Sequence, residues 1–456
     1  MRRRTLSVCA IVVLTLTPFA RSQPTDFEGF GAATLGALSS PDGFDTVHVT
    51  SLADDGPGTL REAVAGPKRW IVFDVAGTIT LESHLAINQS YLTIDGGSAP
   101  SPGVTIELLD DFGITIEPTA VSGPAHDIVV TNLRLDGLAG GVQTNAGDLL
   151  GIDAGNDEVY NIVLDHITAR DSTDGIFDIT GGNVHDITIS YCLIMDTVSV
   201  TLVRGFGIMF AARNISLHHN VWANCAERMP RVRGNVQTLD MVNNVFYRWD
   251  VGEGGTGATQ IVNEPDRPLA SVNITNNHYF PSSIGKPGWA IVYGSSSTAL
   301  TPGPSDDGGP SNPVAQGTVI ANSLMGSLFV LGNILPAENV DHWSTLNMPV
   351  DVPIESEVTT YDAQLLHEMV VPFVGTQFPT ASENALLIQM AAVLLGDLQA
   401  GGGAGGDGDD QTGGGAGGGT SVPAGCGTAG LPMLMFNLCA IALVRASRLR
   451  SAQPIG

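Results

Sequence analysis

The chain of 456 residues sets 46 acidic side chains against 20 basic ones, a formal net charge of −26, which excludes nucleic acid and anionic lipid as partners. Its 56 Gly and 26 Pro beside only 14% charged residues suit a turn-rich β protein better than a helical one. The length suffices for one large core, and elongated β folds use such a length as a single unit.

The first residues, MRRRTLSVCAIVVLTLTPFARSQ, give a basic start, an apolar stretch and small residues at Ala20 and Ser22. This is the pattern of a signal peptide over 1–22, cleaved after Ser22. The apolar run is short for a membrane anchor. Export to the extracellular space is therefore the expectation.

From about residue 27 to 320 the chain is a succession of short apolar-alternating runs broken by Gly, Asn, Asp and Ser. RWIVFDVAGTITL, YLTIDGG, HDIVVTNLRLDG, YNIVLDHITA, HDITISYCLIM and NISLHHNVWA are examples. No helical pattern of 10–15 residues falls between them, which argues against βαβ units. The runs can be superposed. Leu164-Asp165-His166-Ile167, Ile189-Ser190-Tyr191-Cys192, Leu217-His218-His219-Asn220, Met241-Val242-Asn243-Asn244 and Ile274-Thr275-Asn276-Asn277 share one register, with start-to-start spacings of 25, 28, 24 and 33. A constant strand core with variable connections marks a solenoid. The fold expected over residues 23–398 is all-β, a right-handed single-stranded parallel β-helix with a short helical C-terminal segment. Asn220, Asn244 and Asn277 would then stack, and His218 and His219, within the stacked register, read as structural rather than catalytic. Cys192 and Cys225 could pair or stay buried as free thiols, and the sequence leaves both open.

Residues 361–397 read as one or two helices packed on the solenoid. A Gly-rich linker, 399–425, follows. The last segment, 426–456, has an apolar stretch over Leu431–Val444 and then Arg445, Arg448 and Arg450. It is too short for a confident span and reads as a sorting or surface-anchoring tail. Nothing in the chain indicates an oligomer, and a monomer is expected.

Asp148, Asp174 and Asp178 carry the first chemical signal. Stacked coils bring these carboxylates together although they are 26 and 30 residues apart. Oxygen ligands gathered without His or Cys point to Ca²⁺ rather than a transition metal. AERMPRVRG (226–234) carries the second, placing Arg228, Arg231 and Arg233 within six positions of an acidic chain. The guanidinium fork binds carboxylates bidentately, so a cation beside three arginines suits a polymer of uronic acids. An acidic polysaccharide is the partner this predicts.

These residues resemble the pectate lyases of the first polysaccharide lyase family, in particular its secreted bacterial members. GFGAATLG (29–36), VTSLADDGPGTLREAV (49–64) and IVFDVAGTITL (71–81) are similar to the family's opening coils. VLDH (163–166), TDGIFDI (173–179) and ERMPRVR (227–233) are the stronger matches. The resemblance implies a lyase that breaks the bond at C4 by β-elimination. It makes Arg228 the base for the C5 proton, Arg233 its substrate-binding partner, and Asp148, Asp174 and Asp178 calcium ligands. An arginine serves as a base only when its guanidinium is held deprotonated, which neighbouring cations and alkaline solution favour; an alkaline optimum is expected. Two departures stand out. Ala146 replaces a further acidic ligand, and Ser199 or Val200 stands where the family carries a substrate-binding lysine. Arg204 and Arg231 are the cations positioned to replace it. Two other readings are a polygalacturonase-type hydrolase on the same solenoid, which would need a carboxylate acid/base pair, and a catalytically weak or inactive surface β-helix that binds polysaccharide.

Overall fold

The computed structural model describes residues 26–108, 113–137, 148–172, 175–195, 204–209, 212–225, 228–233, 236–249, 257–263, 270–281, 289–295, 312–313, 319–322, 326–335 and 357–401. The expected signal peptide, the tail, and most of the Gly-rich linker lie outside the described residues.

The chain winds into a parallel β-helix. Among the described residues its strands form three sheets of 11, 9 and 8 strands, and eight successive coils between Arg69 and Ser295 each add one strand to each sheet. One coil runs through Val159–Asp165, Thr168–Arg170 and Gly175–Thr180. Leu164 pairs with Ile189, Ile189 with Leu217, Leu217 with Met241 and Met241 with Ile274, the register expected from the repeats. Apolar side chains at alternate strand positions point inward, as a period of two requires. They build one continuous core from Val49 to Val330. Within it Trp222, Phe246 and Tyr279 stack, with centroids 5.1 and 4.4 Å apart.

The corner after each strand of the first sheet repeats. His166, Tyr191, His219, Asn243 and Asn276 all have φ near +55°, between 50° and 57°. Asn and His tolerate this left-handed region better than most residues. The next inward position carries the amide ladder. Asn220 Nδ2 donates to Asn244 Oδ1 (3.1 Å), Asn244 to Asn277 (2.9 Å) and Asn277 to Asn333 (2.9 Å). Each Oδ1 also accepts a backbone N–H of the preceding coil, so these fully buried amides are satisfied. Asn333 extends the expected ladder by a coil. Cys192 and Cys225 are both buried free thiols.

The helical segment docks as expected, although it is broken. A short turn, Leu366–Met369, precedes the long helix Ala381–Gly401, and Pro372, Gly375 and Pro379 interrupt the path between them. The long helix runs on to Gly401, into the first residues of the stretch assigned to the linker. It starts with a reciprocal cap: Glu383 N–H donates to Thr380 Oγ1 at 3.2 Å and Thr380 N–H to Glu383 Oε2 at 2.8 Å. Val370, Val374, Met390 and Leu394 cover Leu193, Val221, Ala223 and Val245 on the outer side of the eight-stranded sheet.

The N-terminal segment Glu28–Ala37, which contains GFGAATLG, forms a strap across the outer side of the first sheet. Its backbone N–H groups donate to hydroxyls on three coils: Phe30 to Ser216, Gly31 to Thr188 and Ala37 to Thr93. Such close backbone approach needs glycine, since a Cβ at Gly31 would lie 2.6 Å from Ile162 O and 2.8 Å from Thr188 N. Gly31→Ala is expected to destabilise the fold by about 1–3 kcal/mol through overpacking. Denaturant unfolding checks this, and an unchanged midpoint would mean the strap contributes nothing.

Candidate active site

The nine-stranded sheet brings three of the predicted residues, Asp178, Arg231 and Arg233, onto one face. Leu150–Asp153 pairs with Gly175–Thr180, setting Gly151 opposite Asp178. That strand pairs with Arg204–Met209, setting Gly175 opposite Arg204 and Asp178 opposite Gly207. Arg204–Met209 pairs with Arg231–Arg233, setting Gly207 opposite Arg231 and Met209 opposite Arg233. Phe177, Ile179 and Val232 fill the core. By strand alternation Asp178, Thr180, Arg231 and Arg233 therefore face outward. With coils ~4.8 Å apart, Asp178 and Arg231 stand about 10 Å apart along the stack.

Glycines clear the space around the carboxylates. Asp178 lies between Gly151 and Gly207 on the adjoining strands, so no side chain crowds it there. A Cβ at Gly175 would collide with Asp148 Oδ1; the glycine of the TDGIFD motif is what lets that carboxylate lie over the strand. Asp148 and Asp178 border one open cleft, together with His84, Thr115, Asp153 and Thr180. His84 Nε2 lies 2.9 Å from Thr115 Oγ1, and Asp153 Oδ1 accepts from Gly155 N–H at 2.8 Å. Sequence reasoning missed Asp153, Thr115 and Thr180. Asp153 carried a signal in the LGID run, but a lone Asp before a turn is common.

The arginine turn is fixed by the following coil. Met229 N–H donates to Ala258 O (2.7 Å), Gln260 N–H to Pro230 O (2.9 Å) and Thr259 Oγ1 to Met229 O (2.8 Å). The Met229–Pro230 peptide is cis, and Arg228 has φ 61°. Arg228 and Arg233 are half-buried, and Arg231 is 7% exposed, directly in register with Gln260.

Of the predicted residues, Asp178, Arg231 and Arg233 thus lie on strands of one sheet, and Asp148 and Arg228 just before two of those strands. Asp174 lies outside the described residues, as do Ala146, Ser199 and Val200. Arg204 is placed by its backbone, as the head of the strand opposite Gly175. The lining of the cleft by carboxylate and hydroxyl oxygens fits a hard cation such as calcium. Among the described residues, however, the three metal-capable side chains that converge on one point are Glu28, His218 and His219, at the strap on the first sheet. Both histidines are buried. The His219 ring stacks on Tyr191 at 4.8 Å, and Tyr191 stacks on His166 at 5.2 Å, the structural role expected of them.

No family model matches the sequence. A probable pectate lyase C of Aspergillus oryzae is 30% identical over 253 residues, covering 55% of this chain and 52% of the relative. A probable pectate lyase P56 of Solanum lycopersicum is 31% identical over 267 residues, covering 53% of this chain and 61% of the relative. The chain thus spans about half the length of the curated relatives it matches. In fold it is similar to the crystal structure of Jun a 1, the major allergen from cedar pollen, with a TM-score of 0.52 at 16% identity over 77% of this chain and 92% of that one. The resemblance read from the sequence therefore holds at the level of pectate lyases, while its narrowing to bacterial members does not, since the relatives are fungal and plant.

Proposed function

We propose that the chain is a secreted polysaccharide lyase that cleaves a uronic-acid polymer, pectate first among them, by Ca²⁺-assisted β-elimination. The observation that carries the reading is the parallel register that puts Asp178, Arg231 and Arg233, the last arginine of the R-x-P-x-x-R motif, on one outward face, with Arg228 three residues before that strand. Similarity to pectate lyases over half the chain supports it.

In this reading Asp148 and Asp178, with Asp174, hold the ion. Bound there, calcium withdraws charge from a uronate carboxylate and so acidifies the adjacent C5–H. Arg228 removes the C5 proton. The electron pair of that C–H bond becomes the C4–C5 double bond as the C4–O bond breaks, and the leaving oxygen is protonated from solvent. Arg233 holds a substrate carboxylate and the orientation of Arg228. Arg231 and Arg204 supply the cationic contacts that lysine gives in the family, and they set which uronide is accepted. The acidic surface of the molecule repels a polyanion, so binding depends on this local basic row. Activity rises with pH, because the base works deprotonated.

Incubation with polygalacturonate and Ca²⁺ tests the proposal. Ultraviolet-absorbing 4,5-unsaturated uronides are the expected products. Reducing ends without that absorbance would mean a hydrolase, and binding without either would mean a surface module.

A further inference from the structure

The converging side chains on the first sheet stand apart from the arginine face. Glu28, His218 and His219 each offer a ligating atom, all within 4.8 Å of one another. Glu28 belongs to the strap, and the histidines to the corner that ends the strand Arg213–His218. Thr359 fixes the Glu28 carboxylate, its N–H donating to Oε2 at 2.8 Å and its hydroxyl to Oε1.

The hydrogen bonds fix the ring tautomers. His218 Nε2 lies 3.3 Å from the Glu28 carbonyl oxygen. A carbonyl only accepts, so Nε2 carries the proton, and Nδ1 of the neutral ring is an acceptor. His219 Nδ1, 2.9 Å away, must then be the donor. That leaves His219 Nε2 as a lone pair, fully buried and without a hydrogen-bond partner. Burial holds both rings neutral: it pushes His218 below its ordinary range and His219 down to about 3. Tyr191 stacks flat on the His219 ring and Tyr361 meets it edge-on at 5.4 Å, so the orphaned nitrogen cannot swing out to water.

A buried imidazole lone pair with no donor, beside a second neutral imidazole and a fixed carboxylate, is a nitrogen-rich donor set. It differs in kind from the oxygen-lined cleft at Asp148 and Asp178, and it suits a borderline ion such as zinc rather than calcium. We propose that Glu28, His218 and His219 form a structural site for a zinc-class divalent cation, which locks the N-terminal strap onto the β-helix. Binding would displace the hydrogen bond that His218 Nδ1 accepts from His219, with a tautomer shift where needed, after which each neutral ring offers one lone pair to the ion. The site stands independently of the lyase reading.

The test uses tag-free full-length protein, stripped with chelator and titrated with Zn²⁺ by calorimetry and with Co²⁺ as a spectroscopic probe. One equivalent should bind, Co²⁺ should show the visible bands of nitrogen-ligated metal, and Zn²⁺ should raise the unfolding temperature. Glu28→Gln and His219→Gln should each weaken binding at least tenfold, while Asp178→Asn should leave zinc binding intact. The Glu28 variant alters a partly exposed strap residue, so it decides the matter even where the His219 variant does not fold. Absence of stoichiometric binding, wild-type affinity in both the Glu28 and His219 variants, or loss of binding in Asp178→Asn alone would each overturn the proposal.

Discussion

Arg228→Lys is expected to lower turnover on a uronic-acid polymer by about 10²–10⁴-fold, the range a positioned acid or base contributes. Circular dichroism and unfolding temperature should stay at their wild-type values. Lysine keeps the charge but loses the planar fork and its reach, so an effect of this size isolates the guanidinium chemistry. The backbone gives a second handle. Arg228 sits at φ 61°, a region that costs a non-glycine residue roughly 1–2 kcal/mol. Bonds from Met229 and Pro230 to Ala258, Thr259 and Gln260 of the neighbouring coil hold it there. Strain maintained in this way gathers where function needs a side chain aimed. Arg228→Gly should therefore be as inactive as Arg228→Ala yet unfold at a higher temperature, because glycine adopts that conformation freely. Turnover near wild type in Arg228→Lys would remove Arg228 from the mechanism.

Glu383→Ala is expected to destabilise the protein by about 3–5 kcal/mol, as loss of one partner of a buried ion pair does. Arg134 Nε and Nη2 donate to the two oxygens of Glu383 at 2.7 and 3.0 Å, with side chains 6% and 1% exposed. Arg134 also donates to Thr376 and to the Phe378 carbonyl. One guanidinium thus joins the eight-stranded sheet to the start of the C-terminal helix, and Glu383 caps that helix as well. Alanine would leave the buried cation without its counter-ion and the helix without half of its cap. Denaturant unfolding checks the size. The double variant Arg134→Met with Glu383→Leu should recover most of the loss, since apolar packing replaces buried pairs at little cost. A loss under about 1 kcal/mol in Glu383→Ala would place this pair with screened surface pairs.

The two pairs differ in how legible they were. The repeat could be read because a coil must present the same apolar strand core and the same corner at each turn, so Leu164, Ile189, Leu217 and Met241 align in sequence as they do in space. The stacking of the carboxylates near the arginine cluster was legible from the coils, but the shared face of Asp178 and Arg231 emerges only from the pairing of the nine-stranded sheet. Arg134 and Glu383, 249 residues apart, lie outside the repeat, and no local pattern links them. The strap contacts, such as Gly31 to Thr188, span 157 residues and were equally silent. The helix over 361–397 was foreseen as one or two segments, but the breaks follow from Pro372, Gly375 and Pro379. In the cleft, Asp148 and Asp178 were legible through their motifs. The glycines that give them room were not, because Gly151 and Gly207 matter only once strands are paired. The converging Glu28, His218 and His219 were likewise hidden, since the strap that supplies Glu28 is placed by tertiary contacts alone.

The central claim is that the face shared by Asp178 and the arginines performs calcium-assisted elimination. The rate of unsaturated-uronide formation from polygalacturonate, followed against free Ca²⁺ for the wild type and Asp178→Asn, tests it most directly. Chelation should abolish the wild-type rate and added Ca²⁺ restore it, with Asp178→Asn needing about tenfold more calcium or failing altogether, the loss expected when a ligand is removed. A rate indifferent to chelation, or the same calcium curve in both proteins, would contradict the account.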